Sequence, residues 1–175
     1  MDGAADDILH YALYYAAALG KLVLAGACGA AIGWEREAHE KAAGLRTHIL
    51  LALGACLYAL AAVQLRAAYA SGADVMRVIQ GGLIGTGFIC GGVVFREGNT
   101  VRGLTTAAGL WIMGAIGVAI GLGFYFIAVS ATGLTFLSMT VLKRGERRIR
   151  GRIARRKEPQ AGDAGAQEKR ETERE

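Results

Sequence analysis

The stretch GLTTAAGLWIMGAIGVAIGLGFYFIAVSATGLTFLSMTVL, residues 103–142, runs for forty residues without a charged side chain. A bilayer core of about 30 Å takes roughly 20 apolar residues of helix. The stretch therefore holds two spans, Gly103–Gly121 and Leu122–Leu142, meeting at a turn near Gly121–Gly123. Working outward, Val78–Phe95 and Thr47–Leu65 are also uncharged and long enough. Leu22–Trp34 is short alone, but residues 8–20 extend it past Lys21. The first span is placed at about Ala17–Trp34, with Lys21 near its outer end, where the amine snorkels to water. The competing reading is one long tilted helix from about Ile8. It would hold the lysine near the bilayer centre, at about 2.5–3.5 kcal/mol. Tyr11, Tyr14 and Tyr15, at i, i+3 and i+4, suit an aromatic belt at the interface. The fold class is all-α: a polytopic membrane helical bundle of about five Gly-rich transmembrane helices (about 17–34, 47–65, 78–95, 104–121 and 122–142).

Charge then sets the orientation. The chain has 175 residues and a formal charge of +5. Residues 1–142 carry eight basic and eight acidic groups, whereas residues 143–175 carry twelve basic and seven acidic ones. The whole excess lies in the last fifth, which excludes a soluble, basic nucleic-acid domain. With five spans, the connections Glu35–Arg46 and Arg96–Arg102 share a side with this basic end. Positive-inside bias makes that side cytoplasmic and puts the N-terminus outside. Reading the last two spans as one broken helix would instead put both termini on one side. The expected division is an extracytoplasmic segment (1–16), a transmembrane domain (17–142) and a basic, largely disordered cytoplasmic tail (143–175). The first residues are Asp-rich with no basic n-region, so no cleavable signal is expected. The tail cluster from Lys143 to Lys157 is expected to hold anionic lipid at about 1 kcal/mol per basic residue. It carries no aromatic residue to stack bases, so nucleic acid is not an expected partner.

Glycine explains the packing. Lipid gives helices no hydrophobic reason to associate, so close contact through small residues must supply it. Gly29-x-x-x-Gly33, Gly81-x-x-x-Gly85, Gly87-x-x-x-Gly91 and Gly117-x-x-x-Gly121 each offer a groove. Packing within one chain is the default reading and homo-oligomerisation the sharper one. The third span (Gly81, Gly82, Gly85, Gly87, Gly91, Gly92) is so glycine-dense that a locally irregular helix, and hence a functional element, is expected there.

Two loop sequences echo one another. Gly33-Trp34-Glu35-Arg36-Glu37 is followed by Gly44-Leu45-Arg46-Thr47-His48. Phe95-Arg96-Glu97-Gly98 is followed by Gly103-Leu104-Thr105-Thr106. In each, threonine opens the return helix, where it can cap free N–H groups. Such a parallel repeat would place a site at the repeat interface.

These same residues carry a family resemblance. Gly33–Glu37 with Lys41–His48, Arg77 followed by Gly85-Thr86-Gly87-Phe88, and the run Arg96–Trp111 resemble the signature of the MgtC/SapB family of bacterial inner-membrane proteins. The resemblance covers about Leu19 to Leu142. It departs at Cys90-Gly91, where the family has Gly-Ala, and at Gln80, one position before the glutamine the family carries. The resemblance implies a multi-pass protein of the bacterial inner membrane, tied to magnesium limitation and stress and, in pathogens, to survival inside host cells. It implies regulation of membrane energetics through the ATP synthase, with a magnesium or other cation transporter or channel subunit as the alternative. The soluble C-terminal domain of some members is not expected in the 33 residues after Leu142.

The candidate functional surface is the cytoplasmic face where the two loops meet. It comprises Glu35, Arg36, Glu37, Lys41, Arg46, Thr47, His48, Arg96, Glu97, Thr100, Arg102, Thr105 and Thr106. Gly29, Gly33, Gly85, Gly87, Gly91, Gly117 and Gly121 are expected to pack the helices. Charges at such depth are costly unless paired, so mutual neutralisation competes with a partner-contacting patch. Glu35 and His39 stand at i, i+4 with Glu37 and Glu40 near, but Arg36 and Lys41 interleave them, and no metal site or cofactor is expected. His48 is expected to hydrogen-bond locally. Cys28, Cys56 and Cys90, one per span, read as small buried apolar residues. Trp34 reads as interfacial and Trp111 as a packing aromatic. No nucleophile array, phosphate loop or zinc motif is present, so no enzyme chemistry is expected.

Overall fold

The computed structural model describes residues 2–68 and 75–141. The connection holding Asp74 and the expected basic tail lie outside the described residues. In chain order the elements are α1 (Asp2–Glu37), α2 (Leu45–Ala68), α3 (Val75–Gly92), β1 (Phe95–Glu97), β2 (Thr100–Arg102) and α4 (Leu104–Gly121). An apolar helix, α5 (Tyr125–Val141), follows. α1 to α4 are long and apolar enough to cross a membrane, and α5 is shorter. The chain divides into two units, Met1–Phe136 and Leu137–Glu175. The described part of the second is residues 137–141, where the Thr140 hydroxyl donates to the Leu137 carbonyl.

The helix that holds the first expected span is longer than that span: α1 runs 36 residues without a break, from Asp2 rather than Ala17. Its first half is rich in alanine and leucine and holds no proline, so nothing in it stops a helix. Lys21 does not snorkel to water either. Its half-buried ammonium donates to the Gly121 carbonyl at 3.0 Å, capping the negative end of α4. From Lys21 to Glu37, α1 rises about 24 Å, close to the roughly 26 Å of α4. Residues 2–20 continue past that bond, with Ile8, Tyr11, Leu13, Tyr15 and Leu19 all exposed.

The third span also differs from expectation. Despite its glycines, α3 is one regular α-helix from Val75 to Gly92. At membrane depth the backbone must satisfy its own hydrogen bonds, and the helix does so whatever the side chains. It stops at Gly92, so Phe95 belongs to the antiparallel hairpin β1–β2, in register Phe95↔Arg102, Arg96↔Val101 and Glu97↔Thr100. The break between α4 and α5 is a Schellman turn. Gly123, at φ +90°, donates to Ile120, and Phe124 donates to Ala119 at 2.8 Å, which satisfies the last carbonyls of α4.

Glycine packs two helix crossings by close approach. A Cβ at Gly29 would lie 2.7 Å from the His48 carbonyl oxygen, and one at Gly33 would lie 2.8 Å from Leu45 Cα. The same holds where α4 meets α2, with Gly117 2.5 Å from the Ala52 oxygen and Gly121 2.7 Å from the Cys56 oxygen. α2 is thus gripped from both sides, and Ile32, Cys56, Leu110, Met113, Ile116 and Ile120 form the buried core around it. Gly85, Gly87 and Gly91 do not behave as expected, because a Cβ at each meets nothing within 4 Å. α3 instead packs through Ile79, Thr86 and Cys90, with Thr86 against Gly114. Cys28, Cys56 and Cys90 are buried and free. Trp111, expected to pack, is 52% exposed.

Candidate functional site

The end of α1 is a charged, buried corner. Glu35 and Arg36 are 5% and 3% exposed, and the Arg36 Nε donates to Glu35 Oε2 at 2.5 Å. His39, one turn on, places its Nδ1 2.7 Å from the Glu35 carbonyl and 3.1 Å from Glu35 Oε1. His48 is fully buried beside Gly29 and Gly33, within Coulombic range of Arg36 and Glu35. Its Nδ1 lies 2.9 Å from the Gly44 carbonyl. A carbonyl only accepts, so Nδ1 carries the proton and Nε2 is left as an acceptor. That Nε2 has no hydrogen-bond partner among the described residues.

The first connection is closed by a carboxylate. Glu37 Oε2 accepts from the Leu45 N–H at 2.8 Å, so the last residue of α1 caps the first turn of α2. A free N–H next to a positive helix end favours an anion there. The chain reaches this contact through a turn in which Glu40 adopts φ +51°. Glu40, Lys41 and Arg46 are exposed, and Thr47 is half-buried. Thr47 was expected as the cap; Glu37 takes that place.

The second connection is built otherwise. The hairpin is exposed along both strands. Arg102 Nε pairs with Glu97 Oε2 at 2.8 Å, both 63% exposed. Arg96 donates to the Gly98 carbonyl at 2.8 Å and to Asn99 Oδ1 at 3.3 Å. The tight turn needs Gly98 at φ +59°. α4 then starts after Gly103, whose φ of +88° and lack of a side-chain cap leave Thr105 and Thr106 without the capping role expected of them. Thr105 and Thr100 are exposed, whereas Thr106 is buried.

The loop strings therefore match in letters and not in architecture, a helical turn in one case and a hairpin in the other. What brings the two connections to one place is apolar. Ala43 is buried against Cys90 of α3 and Leu110 of α4, with Leu51, Val93 and Ala107 around them. Sequence reasoning missed this plug, because an alanine in a charged loop gives no periodic signal. The outcome is a buried array, Glu35, Arg36 and His48, at the first connection and exposed charges, Arg96, Glu97 and Arg102, on the hairpin of the second. Among the described residues, no three of His, Cys, Asp and Glu come together in a way that could hold a metal ion.

Comparison with known proteins bears on what this arrangement serves. The family model described as the MgtC family matches residues 22–148. Protein MgtC of Salmonella typhimurium LT2 is 38% identical over 128 residues, 73% of this chain and 53% of that protein. YhiD of Escherichia coli K12, named as a proposed magnesium transporter, is 38% identical over 126 residues, 69% of this chain and 58% of that protein. An uncharacterised Haemophilus influenzae protein is 34% identical over 143 residues, 78% of this chain and 60% of that protein. The chain thus spans a little over half the length of the curated relatives it matches. No solved structure matches it.

Proposed function

The chain belongs to the MgtC family, and from that membership we propose that it is a multi-pass protein of the bacterial inner membrane serving magnesium homeostasis. Its action on this reading is regulatory, exerted on a membrane partner such as the ATP synthase. The observation that carries this is where the charge is left available. Glu35 and Arg36 are buried and paired, Glu37 is engaged with α2, and the charges of the hairpin are exposed, as are Glu40, Lys41 and Arg46 in the first connection. Exposed charges of both signs on a short ribbon suit contact with a protein partner, where such charges steer and orient docking. A cation path would want acidic or carbonyl ligands part-way along the helices. The described acidic residues stand at the start or in the last turn of α1, or in the two connections.

The second reading, a magnesium or other cation transporter or channel subunit, is supported by the name given to the Escherichia coli relative. One experiment separates the two. The purified chain is reconstituted in liposomes for magnesium flux, while inverted membranes from cells with and without it are assayed for ATP-driven proton pumping. The regulatory reading expects no saturable flux, a change in pumping, and loss of that change in Arg96→Ala/Arg102→Ala. Saturable flux by the chain alone overturns it.

A further inference from the structure

His48 sits fully buried where α1 and α2 come closest. A Cβ on Gly33 would lie 3.0 Å from the His48 Cβ, and one on Gly29 would lie 2.7 Å from its carbonyl oxygen. The ring is fixed through Nδ1, 2.9 Å from the Gly44 carbonyl. Nε2 is left as a bare lone pair with no hydrogen-bond partner among the described residues. A proton placed there would be a donor without an acceptor and a charge without a counter-charge, both costly in a buried site. The charged groups that bear on the ring are Arg36 and Glu35 of α1, and they neutralise one another. The other Glu35 oxygen faces His39. α4 holds no titratable residue. On α3, Cys90 is packed with Ala43 and Leu110, and Arg77 lies about 20 Å further along the helix. Glu37 is held at the Leu45 N–H, while Glu40, Lys41 and Arg46 are exposed. Among the described residues, nothing is left to balance a cation at His48.

We propose that His48 is a proton-operated latch on the α1–α2 crossing, closed while Nε2 is bare and released when a proton from water occupies it. Gly29 and Gly33 hold the two backbones too close for the ring to reach water while the helices stay together, so proton uptake is coupled to their separation. An imidazole open to water takes its proton at about pH 6.5. Below that pH the open form binds more protons than the closed one, so opening is favoured as pH falls; above it the coupling vanishes. His39 acts in the opposite sense, because a proton there strengthens its attraction to Glu35. Release is passed onward through Ala43, which ties the first connection to Cys90 of α3 and Leu110 of α4. The inference concerns how the fold responds to acid and stands apart from the functional reading above.

The test uses the full chain in phosphatidylcholine liposomes. Cys56→Ala with Cys90→Ala leaves Cys28, buried beside Gly29 on α1, as the only thiol. A dithiodipyridine probe, which reacts with thiols in acid as well, is used where reclosing outpaces labelling, so the rate follows the open population. Each rate is divided by that of a Cys28 peptide at the same pH. From about pH 7.5 to about pH 5.5, above the carboxylate range, the ratio is expected to rise about tenfold. His48→Asn keeps an N–H for the Gly44 carbonyl but takes no proton, and is expected to abolish the rise. His39→Gln is expected to retain it. The ring 15N spectrum of wild type gives a readout that no folding defect of a variant touches. It is expected to show Nδ1–H with a bare Nε2 at the higher pH, and imidazolium growing in step with labelling. Wild-type labelling that ignores pH, or a rise that persists in His48→Asn, overturns the proposal. So does a His48 imidazolium signal while Cys28 stays protected.

Discussion

Removing Arg36 tests how the charged corner is held. Arg36→Met keeps an unbranched side chain of similar length but takes away the guanidinium that meets Glu35 at 2.5 Å. The carboxylate stays where it is, 5% exposed, so its desolvation persists while its main counter-charge is gone. With charge centres about 4 Å apart and an effective dielectric near 20, the lost attraction is about 4 kcal/mol. That falls in the roughly 3–5 kcal/mol seen when one partner of a buried pair is deleted. His39, 3.1 Å from the other carboxylate oxygen and 42% exposed, offsets little of it. The protein carries its own reporters, since Cys28, Cys56 and Cys90 are buried and react with a thiol probe only on opening. A loss of 4 kcal/mol makes labelling about a thousandfold faster in Arg36→Met. Glu35→Gln with Arg36→Met removes both charges and is expected to recover most of that, leaving about 1 kcal/mol. A single-variant effect below tenfold would refute the reasoning, because the corner would then hold no desolvated charge.

Four further outcomes are expected. Gly29→Val forces a branched side chain onto the His48 carbonyl at the α1–α2 crossing and costs about 1–3 kcal/mol, measured by the same thiol labelling. Gly87→Val, alone in open space, is neutral to the monomer by that assay. Glu37→Ala uncaps the Leu45 N–H at about 1 kcal/mol, seen as faster amide hydrogen exchange confined to the first turn of α2, while Glu40→Gln shows no such change. Lys21→Met frees the Gly121 carbonyl and speeds exchange at the end of α4, about fivefold for one hydrogen bond.

The helices were legible because lipid imposes one rule on all of them. Uncharged runs of adequate length located α2, α3 and α4 to within a few residues, and α4 was read at 104–121 as observed. What escaped was set by single contacts that no window averages. Lys21 looked like a marker of the water boundary, yet its amine reaches Gly121, a hundred residues away in sequence. Glu37 looked like part of a charged patch and is a helix cap. The threonines at the helix starts looked like caps and are not. Four of the glycines chosen for packing, Gly29, Gly33, Gly117 and Gly121, sit at crossings, while Gly85, Gly87 and Gly91 face outward. Spacing identifies a groove but not the helix that fills it. The charged corner was half legible: burial and pairing of Glu35 and Arg36 follow from their depth, but the place of Ala43 between α3 and α4 does not.

The distances in sequence at which these contacts close have a bearing on biogenesis. Glu35 with Arg36 and His39, Glu37 with Leu45, and Gly44 with His48 all lie within residues 35–48. A nascent chain that has released only its first two helices already holds every group needed to neutralise and cap that corner. Contacts so local form quickly, before longer loops close. The grip of α4 on α2, and the Lys21 bond to Gly121, wait until the fourth helix has been made. The first hairpin can enter the membrane with the Glu35–Arg36 corner already neutralised, and the later helices, which bring the partner of Lys21, assemble onto a surface that is already in place.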